Sequence, residues 1–141
     1  MTIPAINYIA VLLAAVASML VGAIWYAKPV FGRTWMRLSK IDEADTRTGA
    51  AVPLVLTFLL SILTALVLAG ATLIAHEFYD GIYLVDALIT AVILWAGFTA
   101  ARFFVHDLFD RRTLKLTALN SAHELVTILV MALVIGIWPP A

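Results

Sequence analysis

The chain has 141 residues, 64% of them hydrophobic and only 13% charged. Soluble domains carry about 25% charged residues, so water cannot coat this chain, and the lipid bilayer is its expected solvent and first partner. Nine basic residues balance nine acidic ones, which argues against nucleic acid as a partner, and the absence of cysteine excludes disulfides, thiolate catalysis and cysteine-held metals.

A bilayer core of about 30 Å is crossed by roughly 20 apolar residues in a helix. In chain order, four segments meet that length: 6–25, 52–75, 84–105 and 116–138. They predict an all-α fold, a four-transmembrane-helix bundle forming a single integral membrane domain over residues 1–141. The first run lacks a basic leader and is too long for a signal peptide, so it is expected to be retained as a span. Within it Ala10, Ala14, Ser18 and Gly22 recur every four residues, a small-residue ladder suited to close helix approach.

The first connection holds Lys28, Arg33, Arg37, Lys40 and Arg47. In its "VFGRTWMRLSK", Phe31, Trp35 and Leu38 fall on one helical side and the cations on the other. Two readings stand: a short helix in the membrane interface, or a basic loop that only fixes topology. The following "IDEADTRTGAA" reads as a solvated loop or short helix.

In the second span Pro53 suits a first helical turn, and Thr57, Ser61, Ala65 and Ala69 form a second ladder. Beyond it, His76, Glu77, Asp80 and Asp86 are expected to form a solvated acidic rim. The third span places Trp95, Thr99, Arg102 and His106 in one narrow sector, and Arg111, Arg112 and Lys115 follow it. The nine basic residues therefore all lie in the first connection or around the third, Arg102 near the end of its span. The positive-inside rule places both in the cytoplasm, giving an N-out/C-out topology whose longer basic cytoplasmic loop joins helices 1 and 2. Trp25, Tyr26 and Trp35 near one boundary, and Tyr8, Phe78, Tyr79, Tyr83 and Trp138 near the other, fit aromatic belts.

The fourth span, stopped by Pro139 and Pro140, contains "ALNSAHELVTIL". At about 100° per residue, Asn120, His123, Glu124 and Thr127 share one of its faces. A charged side chain at the bilayer centre costs about 2.5–3.5 kcal/mol on insertion scales and commonly marks an ion, proton or ligand site. Arg102 falls about one turn before the end of its span and Asn120 about one turn into the next. That spacing predicts an Arg102–Glu124 ion pair completed by Asn120 and His123. The candidate ligand or proton site is thus Glu124, His123, Asn120, Thr127, Arg102, His106, Trp95 and Ser18. The competing reading is interhelical glue, worth about 0.6 kcal/mol per polar contact; for Trp95 it is core packing.

Neither HxxxH nor HExxH occurs, so no metal is expected, and nothing points to a cofactor. The leading functional expectation is a binding or transport module for a small amphipathic molecule or for protons. The alternatives are a membrane-embedded enzyme using Glu124 and His123 as acid and base on a lipid-soluble substrate, and a non-catalytic assembly protein. No residue pattern specifies a reaction, which tilts the expectation away from an enzyme. Four thin helices enclose little volume, so a homodimer is expected.

"GAIWYAKPVFGRTWMRLS", with Gly22, Trp25, Tyr26, Pro29, Phe31, Gly32 and Trp35, resembles the end of the first span in small bacterial membrane proteins catalogued as Domain of Unknown Function 1761. The second half is similar too: Trp95, Gly97 and Phe98, then Phe109, Arg111, Leu114 and Lys115. Asn120 and His123 stand where that family tends to carry an amide and an aromatic or histidine. The resemblance implies four spans in a bacterial inner membrane, and no established activity.

Overall fold

The computed structural model describes residues 5–47 and 49–141, with Arg47 described by its backbone alone, so the side chain of that expected loop cation lies outside the described residues. Helix α1 (Tyr8–Trp25) starts where Asn7 Oδ1 accepts the Ala10 N–H at 3.1 Å, a side-chain cap for an otherwise orphaned donor. A π-helical turn at Lys28–Gly32 leads into α2 (Arg33–Ser39), and α3 (Glu43–Arg47) is tied back by an ion pair between Lys28 and Glu43. Then come α4 (Ala51–Tyr79), α5 (Tyr83–Leu94), a π-helical segment Trp95–Ala100, α6 (Ala101–Phe109) and α7 (Leu114–Ile137). Thr113 caps α7 by accepting the Leu116 N–H. The described residues contain no strand.

Among the described residues, four helices are long and apolar enough to cross a membrane: α1, α4, the continuous run Tyr83–Phe109, and α7. Helix α4 outruns its expected end by a turn, closing on Asp80 in the left-handed conformation. The spans form a ring in which α7 packs on α1 and α5, and α4 packs on the same two helices. Small residues make the contacts. Ala14 and Ala15 of α1, Ala65 of α4, Ala87 and Ala91 of α5 and Ala132 of α7 are fully buried, with Leu68 and Met131 filling between them. Leu12, Leu13, Val16 and Leu20 of α1 point outward, as lipid-facing side chains should where hydrocarbon solvates them as well as protein does.

Helix α4 is the loosest member. Only 11% of its most apolar window is buried, against 28% in each of the other spans. Its buried residues, Ala65, Leu68, Ala69 and Thr72, all lie in its second half. The small-residue ladder of α4 is therefore used at Ala65 and Ala69, whereas Thr57 is exposed. The loose half leaves a gap between α1, α4 and α7.

The α4–α5 connection corrects one expectation. Asp86 is not on a solvated rim: it is 8% exposed, and its Oδ2 lies 2.8 Å from His76 Nδ1, whose ring meets Tyr83 edge-on. The chain can turn this tightly because Gly81 has no side chain; a Cβ there would sit 2.8 Å from Asp86 Oδ1. A buried carboxylate needs such a partner. Glu77 and Asp80 are exposed, as a rim requires.

Gly136 marks a close helix approach. A Cβ there would lie 2.8 Å from the Leu84 Cα and 3.2 Å from the Ala87 Cβ, whereas at Gly70 of α4 it would meet nothing within 4 Å. Gly136→Ala is expected to destabilise the detergent-solubilised protein by about 1–3 kcal/mol through overpacking. Gly70→Ala should be neutral or stabilising by up to about 1 kcal/mol from helix propensity. Denaturant or thermal unfolding of the two variants side by side checks the difference.

Candidate functional site

Helix α7 presents polar groups in two directions. Towards α5, the Ser121 carbonyl accepts the Trp95 indole N–H at 2.9 Å. Towards α1, His123 is gripped by aromatic rings: the Tyr26 centroid lies 4.9 Å away and the Trp25 centroid 5.8 Å. Gly22 of α1 passes alongside the same ring, close enough that a Cβ there would stand in ordinary contact with His123 Nε2 at 3.6 Å. Adjacent residues on a helix diverge by about 100° and do not normally face each other. The aromatic grip turns the imidazole so that Nδ1 reaches Glu124 Oε1 at 3.1 Å while Nε2 lies 3.4 Å from Thr127 Oγ1. With Glu124 ionised, Nδ1–H donates to it and Nε2 accepts from the threonine hydroxyl; a protonated ring would donate from both nitrogens.

Glu124 faces open space. Its side chain is 40% exposed, against 13% for His123. Both border a crevice of about 720 Å³ between α1, the loose half of α4, and α7. Ser18, Tyr26, Thr57, Ser61, Thr64 and Thr127 contribute hydroxyls, and Met19, Leu54 and Leu60 contribute apolar surface. Tyr26, just past the end of α1, has its phenol pushed up to about 12, first by burial and then by the charge of Glu124. Like any phenol it is a neutral donor near neutral pH, and its hydroxyl lies 3.4 Å from Asn120 Oδ1.

The expected site residues divide accordingly. Ser18, His123, Glu124 and Thr127 line the crevice together, although the Ser18 hydroxyl is already committed to the Ala15 carbonyl at 2.7 Å. Asn120 joins through Tyr26. Trp95 lies on the opposite side of α7, bonded to backbone and packed against the core. Arg102 and His106 are exposed on α6, and the expected Arg102–Glu124 ion pair is not formed.

The physical reason is the π-helical segment Trp95–Ala100 between Trp95 and Arg102. A π turn takes up an extra residue, and each extra residue sets the following helix back by roughly 100°. The sector shared by Trp95 and Arg102 in a regular helix is thereby split. Asp107 faces α7 instead, accepting from the Thr117 hydroxyl at 2.7 Å and standing 3.8 Å from Arg112 Nε.

Sequence reasoning missed Trp25, Tyr26 and Gly22 as parts of this site, because aromatic residues at a span end read as an interfacial belt. The i, i+4 spacing of Gly22 and Tyr26 was the available signal. Among the described residues no three His, Asp or Glu side chains gather closely enough to hold a metal.

Residues 9–136 match the sequence profile of a family described as "Protein of unknown function (DUF1761)". This chain belongs to the DUF1761 family. No curated protein and no solved structure matches it. The residues that carried the resemblance now have physical roles in this DUF1761 chain. Gly22 runs alongside His123, and Trp25 and Tyr26 grip its ring. Phe31 packs tilted against Trp25 at 4.5 Å between centroids, and Trp35 meets Tyr26 edge-on at 5.4 Å. Pro29 sits in the first turn of the π segment, where its missing N–H is no loss. A Cβ at Gly32 would overlap the backbone of Tyr26 and Ala27.

Trp95→Phe keeps an aromatic ring and deletes the bond to the Ser121 carbonyl. It is expected to cost about 0.5–1.5 kcal/mol of stability and to leave any ligand response at Glu124 unchanged. Unfolding and ligand titration of the same preparation separate the two effects.

Proposed function

We propose that this protein binds a small amphipathic molecule that enters the α1–α4–α7 crevice sideways from the bilayer. Its cationic or hydrogen-bond-donating group meets Glu124, and its apolar part lies along Met19, Leu54 and Leu60. The observation that carries this reading is Glu124 itself: a carboxylate 40% exposed within a crevice of about 720 Å³. A carboxylate used as glue is satisfied by its neighbours; one left facing a cavity in a membrane span keeps a costly charge for a ligand or a proton. The crevice mixes hydroxyl and apolar walls, the usual make-up of a small-molecule site. Proton-coupled movement of the ligand would use the same carboxylate, with His123 as relay.

Dodecylammonium is a suitable probe. It should raise the unfolding temperature of the purified protein and shield Glu124 from carbodiimide modification, with dodecanol much weaker. Glu124→Gln should weaken dodecylammonium binding roughly 10- to 100-fold, the value of a charge-assisted bond of about 1.5–3 kcal/mol. Unchanged affinity in Glu124→Gln, or equal protection by dodecanol, would sink the proposal.

The setting we propose is a bacterial inner membrane, with the basic connections in the cytoplasm, both termini outside, and two copies associated. Because the chain has no cysteine, single-cysteine labelling tests the orientation directly. Glu77→Cys should react with an impermeant maleimide in intact spheroplasts, and Arg37→Cys only after permeabilisation. The reverse pattern would invert the topology.

A further inference from the structure

We propose a second site, separated from the crevice by the Tyr26–Asn120 hydrogen bond, that takes a phosphate group, free or esterified, at the basic end of the bundle. A cavity of about 460 Å³ lies there between the end of α2 and the α6–α7 turn. Lys40, Arg111 and Arg112 line it from two separate connections, with Asp110 as the opposing charge and Ser39 and Asn120 as neutral polar groups. Arg112 is partly spoken for, with Nε 3.8 Å from Asp107 Oδ1 and 3.7 Å from Asp110 Oδ2. Lys40 and Arg111 form no ion pair among the described residues, so the cavity holds a surplus of positive charge.

A second observation concerns the backbone. Lys40 and Arg111 both adopt left-handed conformations, with φ of 56° and 55°, where glycine or asparagine is the undemanding choice. Two connections thus place a cationic side chain at a strained position, and both border one cavity. Asp80 ends α4 in the same conformation, so the turn geometry is that of a helix end; what sets Lys40 and Arg111 apart is the cavity they share. At the floor, Asn120 Oδ1 accepts from Tyr26, which leaves its Nδ2 as a donor. Two unpaired cations, a hydroxyl and an amide donor match the donor-poor, oxygen-rich surface of a phosphate group.

The phosphate can belong to a lipid headgroup or be free in solution, and the test separates the two. Thermal unfolding of the purified chain in a neutral detergent is followed against inorganic phosphate, dioctanoyl phosphatidylglycerol, and dioctanoylglycerol, which lacks the phosphate. Stabilisation by phosphatidylglycerol alone identifies a headgroup site; stabilisation by inorganic phosphate, with or without the lipid, identifies one that free phosphate fills. Lys40→Gly combined with Arg111→Gly removes both cations while relaxing both turns, so the fold is retained. It should raise the half-saturating concentration roughly tenfold or more, the equivalent of at least one charge-assisted bond. Arg33→Gln combined with Arg37→Gln makes the same charge change outside the cavity and should leave the response intact. Equal weakening in the two double variants, no stabilisation of the unaltered chain by either phosphate compound, or equal stabilisation by dioctanoylglycerol would overturn the proposal.

Discussion

In hydrocarbon an apolar side chain gains nothing by moving from lipid into a protein interior, so helices crossing a membrane are held where their backbones can come close. That constraint organises this molecule around α7. Gly136 presses against Leu84 and Ala87 at one end, and Gly22 of α1 lies against His123 nearer the other. Clamped to α1 and α5 together, α7 cannot rotate, and its polar face is fixed towards α1. Helix α4 has its buried residues from Ala65 onward, with Ile62 partly packed on the core, and is exposed over most of its earlier turns. The crevice follows directly: it is the volume that the loose half of α4 does not close, bordered by the polar face that α7 cannot turn away.

The π-helical segment in the third span has an equally direct effect. A continuous α-helix from Tyr83 to Phe109 would aim Trp95 and Arg102 the same way. With the wide turn between them, Trp95 reaches the backbone of α7 and Arg102 faces outward, while Asp107 takes the position against Thr117. The contact between α6 and α7 is therefore a short hydroxyl–carboxylate bond near the end of the bundle. Glu124 is left with His123 as its hydrogen-bonding neighbour.

Much of this was legible in the sequence for one reason: hydropathy summed over twenty residues is insensitive to local detail. The four apolar runs became helices with ends shifted by a few residues. His123, Glu124 and Thr127 line one crevice because α7 is an uninterrupted helix whose angles can be counted, whereas Asn120, a turn earlier, lines the cavity at the basic end. The count failed in the third span because a π segment has no reliable composition; "WAGFTA" reads as ordinary helix. Tyr26 escaped notice because a tyrosine at a span end looks the same whether it anchors in headgroups or turns inward. Asp86 was misread because the pairing with His76 depends on a tight turn at Gly81, a property of the folded backbone.

These details bear on one question, why Glu124 stays available. A nearby guanidinium would collapse onto the carboxylate and fill the crevice with an ion pair whose desolvation cost roughly cancels its attraction. Two features prevent this. The π segment turns Arg102 away, and the cations of the basic end are separated from Glu124 by a neutral pair, Asn120 and Tyr26, one helical turn along the same face of α7. Tyr26 can fill that position because a phenol carries no charge near neutral pH, and burial and Glu124 move its titration further from that range. Neutrality at this boundary keeps cations and carboxylate in separate cavities, the separation that the two proposed sites of opposite sign require.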